Sequence, residues 1–220
     1  MTDPKLAGRV IGGMFLLQIV GLMAGFIMLD ALRSTSYIQT AAPESARIKA
    51  GVIILLANGA LTIAISIAAW KIVREHSHAM AVWLISLSVI MFIMQAVDTV
   101  HIMTMLALSQ EHAQSGAIIE PVAIATRLTR RYAHYLALLA IDFWLALFYS
   151  ILLLFRLMPR LIAGFALGAV VLQFVAVPVP GFLGYGINTN LGVPLAVGML
   201  AVAGWLIARG FNAADQQSAR

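Results

Sequence analysis

The sequence predicts an all-α fold, a polytopic integral membrane bundle of six transmembrane helices. Three observations predict it. The 220-residue chain is 62% hydrophobic and only 10% charged, with a mean hydropathy of +0.96. Soluble domains carry about 25% charged residues, so this chain has too little polar surface to cover a core in water. Next, six apolar stretches each supply the roughly 20 residues that a helix needs to cross ~30 Å of hydrocarbon. Last, these runs are continuous, unlike the short alternating segments of a membrane β-barrel. The expected spans are 10–32, 51–73, 80–108, 132–157, 161–179 and 191–208. No linker, low-complexity tract or repeat divides them, so residues 1–220 read as a single transmembrane domain.

The net charge of +5 could suggest a nucleic-acid partner. The basic residues, however, sit at span ends, where topology and lipid headgroups account for them. The expected partner is the lipid bilayer, with no nucleic acid. There is no cysteine, which removes disulfides, thiolate metal sites and thiol nucleophiles. The first apolar run is too long for a signal core and lacks a small-residue cleavage site after it, so it reads as a retained span.

Taken in order, the first span carries Gln18, Gly21 and Gly25 on one face. Gly21/Gly25 is a small-xxx-small pair that lets a second helix approach closely, within the molecule or in a homodimer. The polar connection 33–49, with Pro43, is expected at the headgroups. The second span has a ladder of Asn58, Thr62 and Ser66 at i, i+4 and i+8, one face that should point into the bundle. It ends at Trp70 and Lys71, and the tight turn after it holds His76 and His78, two solvated histidines with no third ligand nearby. The third span begins near Trp83 and carries Gln95, Asp98 and His101 within the run from Met91 to Met105.

Residues 111–131 are too polar to span. Pro121 suits a first helical turn, so 122–130 reads as an interfacial helix or as an extension of the fourth span. That span carries His134, Tyr135, Asp142, Trp144 and Tyr149, with 135, 142 and 149 on one face and Arg131 one turn above Tyr135. Pro159 blocks continuation of one helix and is placed to start the next. The fifth span has a second close-packing pair, Gly164/Gly168, also able to serve a homodimer, and Gln173. Pro178, Pro180, Gly181, Gly184 and Gly186 break it, Asn188 to Asn190 offer caps, and the sixth span ends at Trp205 and Arg209.

An even number of spans puts both termini on one side. The two tightest basic turns share that side and the Gly-rich turn opposite has no charge, which places the termini in the cytoplasm of a multi-pass plasma-membrane protein. Trp70, Trp83 and Trp205 would mark that interface, and Tyr37, Tyr132 and Tyr185 the other.

Counting about 1.5 Å per residue, Asp98 and Asp142 fall at a similar depth in the outer half, with Asn58 and Gln173 near them and His101 and His134 higher. A central Asp costs roughly 2.5–3.5 kcal/mol on insertion scales and usually faces the bundle or a cavity. The expected intramembrane polar site is Asp98, His101, Asp142, Asn58, Gln95, Tyr135, His134 and Gln173, with Asp98–His101 the simplest pairing. One reading is binding or transport of a small polar solute or proton. Another is a redox or metal enzyme, with His101 and His134 as haem ligands or Asp98, His101 and Asp142 holding a divalent metal. A third is a purely structural role in which the polar groups satisfy one another and fix helix register, and a fourth is an accessory subunit whose surface, including the two glycine faces, docks a partner. No cofactor is assigned. There is no zinc-protease, phosphate-loop, serine-elbow or dinucleotide motif, and the balance leans away from an enzyme.

Four short patterns carry a family resemblance: Arg9-Val-Ile-Gly-Gly entering the first span, Ala-Ala-Trp70-Lys closing the second, Leu157-Met158-Pro159-Arg160-Leu161, and Gly204-Trp205-Leu-Ile-Ala-Arg-Gly210-Phe211-Asn212. They resemble domain-of-unknown-function family four-three-eight-six. The resemblance implies a bacterial inner-membrane protein and transfers no catalytic residue.

Overall fold

A computed structural model describes residues 3–34, 36–116 and 120–212. Helix ends follow local chemistry. Asp3 accepts the Lys5 backbone N–H at 2.9 Å and Pro4 occupies the first turn, opening α1 (Pro4–Met28). A 3-10 turn, Asp30–Leu32, and the short α2 (Tyr37–Thr40) lead into α3 (Ser45–His76). Ser77 alone separates α3 from α4 (His78–Ser115). Its N–H donates to the Val73 carbonyl and its hydroxyl accepts the Met80 N–H, so one extended residue closes one helix and caps the next. After α4 comes α5 (Glu120–Leu154). Pro159 precedes α6 (Arg160–Ala176), and Pro178 restarts the chain as α7 (Pro178–Leu183). A 3-10 turn, Thr189–Gly192, enters α8 (Val193–Arg209).

There is no strand among the described residues, and six helical segments are long and apolar enough to cross a membrane. The protein is an all-α, multi-pass membrane protein. Each long helix packs on its neighbours in sequence and α8 closes on α1, giving a ring α1–α3–α4–α5–α6–α8. At the end carrying the termini, the terminal face, the ring is filled by an apolar core that includes Phe15, Ile65, Leu84, Trp144, Phe148 and Val202. A second core at the distal face gathers Leu32, Tyr37, Ile48, Leu106 and Ala123.

The segment 120–131 is the opening of α5 itself, so of the two readings of 122–130 the extension of the fourth span holds. The connection after α1 folds onto the protruding end of α4. The Ser109 hydroxyl accepts the Ala42 N–H at 2.8 Å and donates to the Ile38 carbonyl at 2.7 Å. Tyr37 is buried, its hydroxyl donating to the Ala123 carbonyl at 3.1 Å, and so is no interfacial anchor. Burial raises the Tyr37 phenol above its ordinary pKa, with Arg127 pulling the other way. The polar turns are helical because these contacts satisfy them. At 38 residues, α4 is about 57 Å long, nearly twice the ~30 Å of hydrocarbon.

The two glycine pairs part company. A Cβ on Gly21 would meet Asn58 Oδ1 at 2.5 Å, and one on Gly25 would meet Leu55, so that face is taken by α3 of the same chain. Nothing lies within 4 Å of where a Cβ on Gly164 or Gly168 would stand. Of the two faces expected to accept another copy, only the second is free.

The ring is clasped at the terminal face. Gly210, with φ +71° and ψ −163°, lies directly on the Lys5 backbone. Phe211 beside it is buried. Asn212 donates its N–H to the Leu157 carbonyl at 2.8 Å and its Nδ2 to the Arg156 carbonyl at 3.1 Å. The end of α8 is thereby tied to the start of α1 and to the turn between α5 and α6.

Candidate functional site

Between the two cores lies a half-open chamber of about 490 Å³, with wall residues from all six long helices. Trp144 forms part of its floor, held by donation from Nε1 to Ser66 Oγ at 2.9 Å and stacked on Phe15 and Phe148 with ring centroids 5.8 and 5.5 Å away. Ten residues separate Trp144 from His134 on α5, so the two lie about 15 Å apart along the helix axis.

Side chains from α1 and α3 make one polar wall. Gln18 Nε2 donates to the Asn58 carbonyl at 3.2 Å and to the Thr62 hydroxyl, while Asn58 Nδ2 donates to the Gln18 carbonyl at 3.0 Å. Backbone carbonyls only accept, so both amide orientations are fixed. Thr62 and Ser66 are buried, and the ladder on the second span does point inward. Gln95 from α4, His134 from α5, Gln173 from α6 and, in the 3-10 turn before α8, Thr189 add to the polar lining.

A small recess of about 20 Å³ shares Gln95 and His134 with the chamber and reaches Asp98 and Arg130. Asp98 is 2% exposed. Arg130 Nε donates to its Oδ1 at 3.2 Å, and His134 Nδ1 lies 3.1 Å from its Oδ2. The polar expectation for Asp98 is thus met from α5. His101, half-buried, makes no hydrogen bond or ion pair among the described residues, so the Asp98–His101 pairing is corrected. An i+3 neighbour on one helix loses here to a guanidinium on the facing helix, which adds charge and a directed N–H.

Asp142 is elsewhere. It lies eight residues beyond His134, about 12 Å further along α5, so it does not share a level with Asp98. The cause is register: α5 begins at Glu120 rather than near 132, and it brings 130 and 134 alongside 98. Asp142 is 1% exposed and neither carboxyl oxygen has a hydrogen-bond partner among the described residues. Arg131 does not serve it. Its Nε donates instead to the Tyr135 hydroxyl at 3.4 Å, and Tyr135 packs against Gly181 of α7, outside the chamber lining.

Asn58, Gln95, His134 and Gln173 therefore meet at the chamber, with Asp98 behind His134, while His101, Tyr135 and Asp142 stand apart. Arg130 and Gln18 belong to the site and were not among the expected residues. Arg130 precedes His134 by four, and that spacing marks a shared face once 120–154 is read as one helix. Among the described residues no three His, Cys, Asp or Glu side chains come together as a metal-ligand set, so Asp98, His101 and Asp142 do not form one.

No curated protein and no solved structure matches the chain. A family model described as a domain of unknown function, DUF4386, matches residues 10–210, which takes in all six spanning segments from Val10 of α1 to Gly210 of the clasp, and the chain belongs to that family.

Proposed function

We propose that the protein binds a small molecule inside the membrane, in the central chamber, with the ligand's polar group on the layer of Gln18, Asn58, Gln95, His134 and Gln173. The observation that carries this reading is the chamber itself. Its volume of about 490 Å³ falls within the ~300–1,000 Å³ of small-molecule pockets, which are mostly apolar with a few convergent polar groups. The terminal end is plugged by the Phe15–Trp144–Phe148 stack, which favours a one-ended binding site over a through-path. The short basic turns support the finer placement in a bacterial inner membrane with both termini cytoplasmic.

The test uses Trp144 as reporter, in a protein carrying Trp70→Phe, Trp83→Phe and Trp205→Phe, reconstituted in lipid nanodiscs. A brominated ten-carbon amphiphile, 10-bromodecan-1-ol, should quench the remaining indole saturably. Leu138→Phe, which narrows the chamber wall, should abolish the saturable component while the fold, checked by circular dichroism, persists. Quenching that rises linearly with probe in lipid, unchanged by Leu138→Phe, would refute chamber binding.

A further inference from the structure

The charge and hydrogen-bond balance of the chamber points to a ligand class. The donors on the α1–α3 side of the polar wall and on Trp144 are already committed. Gln18 Nε2 is spent on Asn58 and Thr62, Asn58 Nδ2 on the Gln18 carbonyl, and Trp144 Nε1 on Ser66. The Thr62 hydroxyl is turned to the Asn58 carbonyl at 3.3 Å. The opposite holds for acceptors. Gln18 Oε1 accepts no bond among the described residues, and Gln173 Oε1 is buried without a partner.

His134 turns Nδ1 to the Asp98 carboxylate at 3.1 Å, and a carboxylate paired with Arg130 only accepts, so this N–H is committed to Asp98. The amide nitrogens of Gln95 and Gln173 form no bond among the described residues, which leaves the wall some donor capacity. Charge is balanced too. Among the described residues the lining of the chamber holds no carboxylate or guanidinium of its own, and the pair in the adjoining recess, Asp98 and Arg130, compensates itself. Neither an anion nor a cation would find an unspent counter-charge there, and an ion moved into an apolar chamber loses its hydration.

We infer that the chamber selects a neutral amphiphile: an apolar body with a hydroxyl-type head that both donates and accepts, received among Gln18, Gln95, Gln173 and His134. This rests on the binding role proposed above and names the ligand class for that site. The apolar body would lie along the wall of Leu138, Ile141, Leu145 and Met199. A hydroxyl satisfies both halves of the wall. An ether or ketone of the same shape leaves the surplus acceptors unpaired, and such unpaired buried groups are what sites of this kind discriminate against.

The same single-tryptophan protein in nanodiscs provides the test, with probe amounts expressed per lipid. Four compounds share the brominated ten-carbon chain: 10-bromodecan-1-ol, its methyl ether, 10-bromodecanoate and 10-bromodecylammonium. The alcohol should half-saturate at roughly tenfold lower probe per lipid than each of the others, a preference of one tenfold step or ~1.4 kcal/mol. Gln173→Leu should shrink the alcohol's advantage severalfold and leave the ether's titration where it was, a split that a merely structural role would not produce. An ether equal to the alcohol, or an ion that binds more tightly, would overturn the assignment while leaving chamber binding intact. Saturable quenching by none of the four would remove the binding role and this inference together.

Discussion

Asp98 divides its charge between Arg130 and His134, at 3.2 and 3.1 Å, whereas Asp142, equally buried, gives its oxygens to no partner among the described residues. The two carboxyls should therefore respond oppositely to removal. Asp98→Leu strands a guanidinium in the wall and should cost about 2 kcal/mol, below the ~3–5 kcal/mol of a fully buried pair because Arg130 and His134 keep some exposure. Asp142→Leu deletes two unsatisfied acceptors and should be neutral or stabilising by about 1 kcal/mol. Thermal melting in detergent separates them, and equal losses would show that Asp142 has a partner after all. At this scale the sequence was informative about need and poor about supply. That Asp98 requires a partner follows from its apolar neighbours. Which partner it takes depends on the register of α4 against α5, and a local count of turns carries no such information. Asn58, Gln95, His134 and Gln173 were legible as inward-facing for the same reason that Asp98 was.

At the scale of elements, the apolar runs announced the six spans, since long hydrophobic stretches leave few alternatives. Their ends were not legible. The polar turn of α4 is held by packing against α2 and the first 3-10 turn, and the start of α5 by the bond from Tyr37 to the Ala123 carbonyl; tertiary contacts of this kind override composition. Ser109 is the joint, bonding both Ala42 and Ile38. Ser109→Ala should cost about 1–2 kcal/mol locally, read as faster hydrogen exchange at 37–42 with little change in the spans. The same cap should be sensitive to alkali. The folded state holds the Tyr37 proton more tightly than the unfolded chain, so the contribution of this group is complete below the ordinary tyrosine pKa and declines as pH rises beyond it. Tyr37→Phe should remove that decline in an unfolding titration between pH 9 and 11.

At the scale of the whole molecule, what matters is closure. The string Gly210-Phe211-Asn212 was visible as a family pattern, yet its task appears only once α8 lies beside α1 and Asn212 reaches the carbonyls of Arg156 and Leu157. Gly210 sits at φ +71°, ψ −163°, a region that is essentially glycine's own, where a side chain costs about 1–3 kcal/mol. Gly210→Ala adds a clash with the Lys5 backbone and should lower the melting temperature and loosen the chamber. Alanine at Gly164, whose Cβ would meet nothing within 4 Å, should leave the melting temperature unchanged. A chamber ringed by six helices could not be read from the chain, because span order alone does not say that the last helix returns to the first.

The strong polar pairings have a consequence for how the chain is made. Gln18 and Asn58 belong to the first and second spans, and Asp98, Arg130 and His134 to the third and fourth. Each group finds its counterpart in the adjacent span. The translocation machinery can therefore release the first four spans into lipid as two hairpins in which these particular pairings are already made. Only the cavity must wait, since it comes into being when the final hairpin seals against the first.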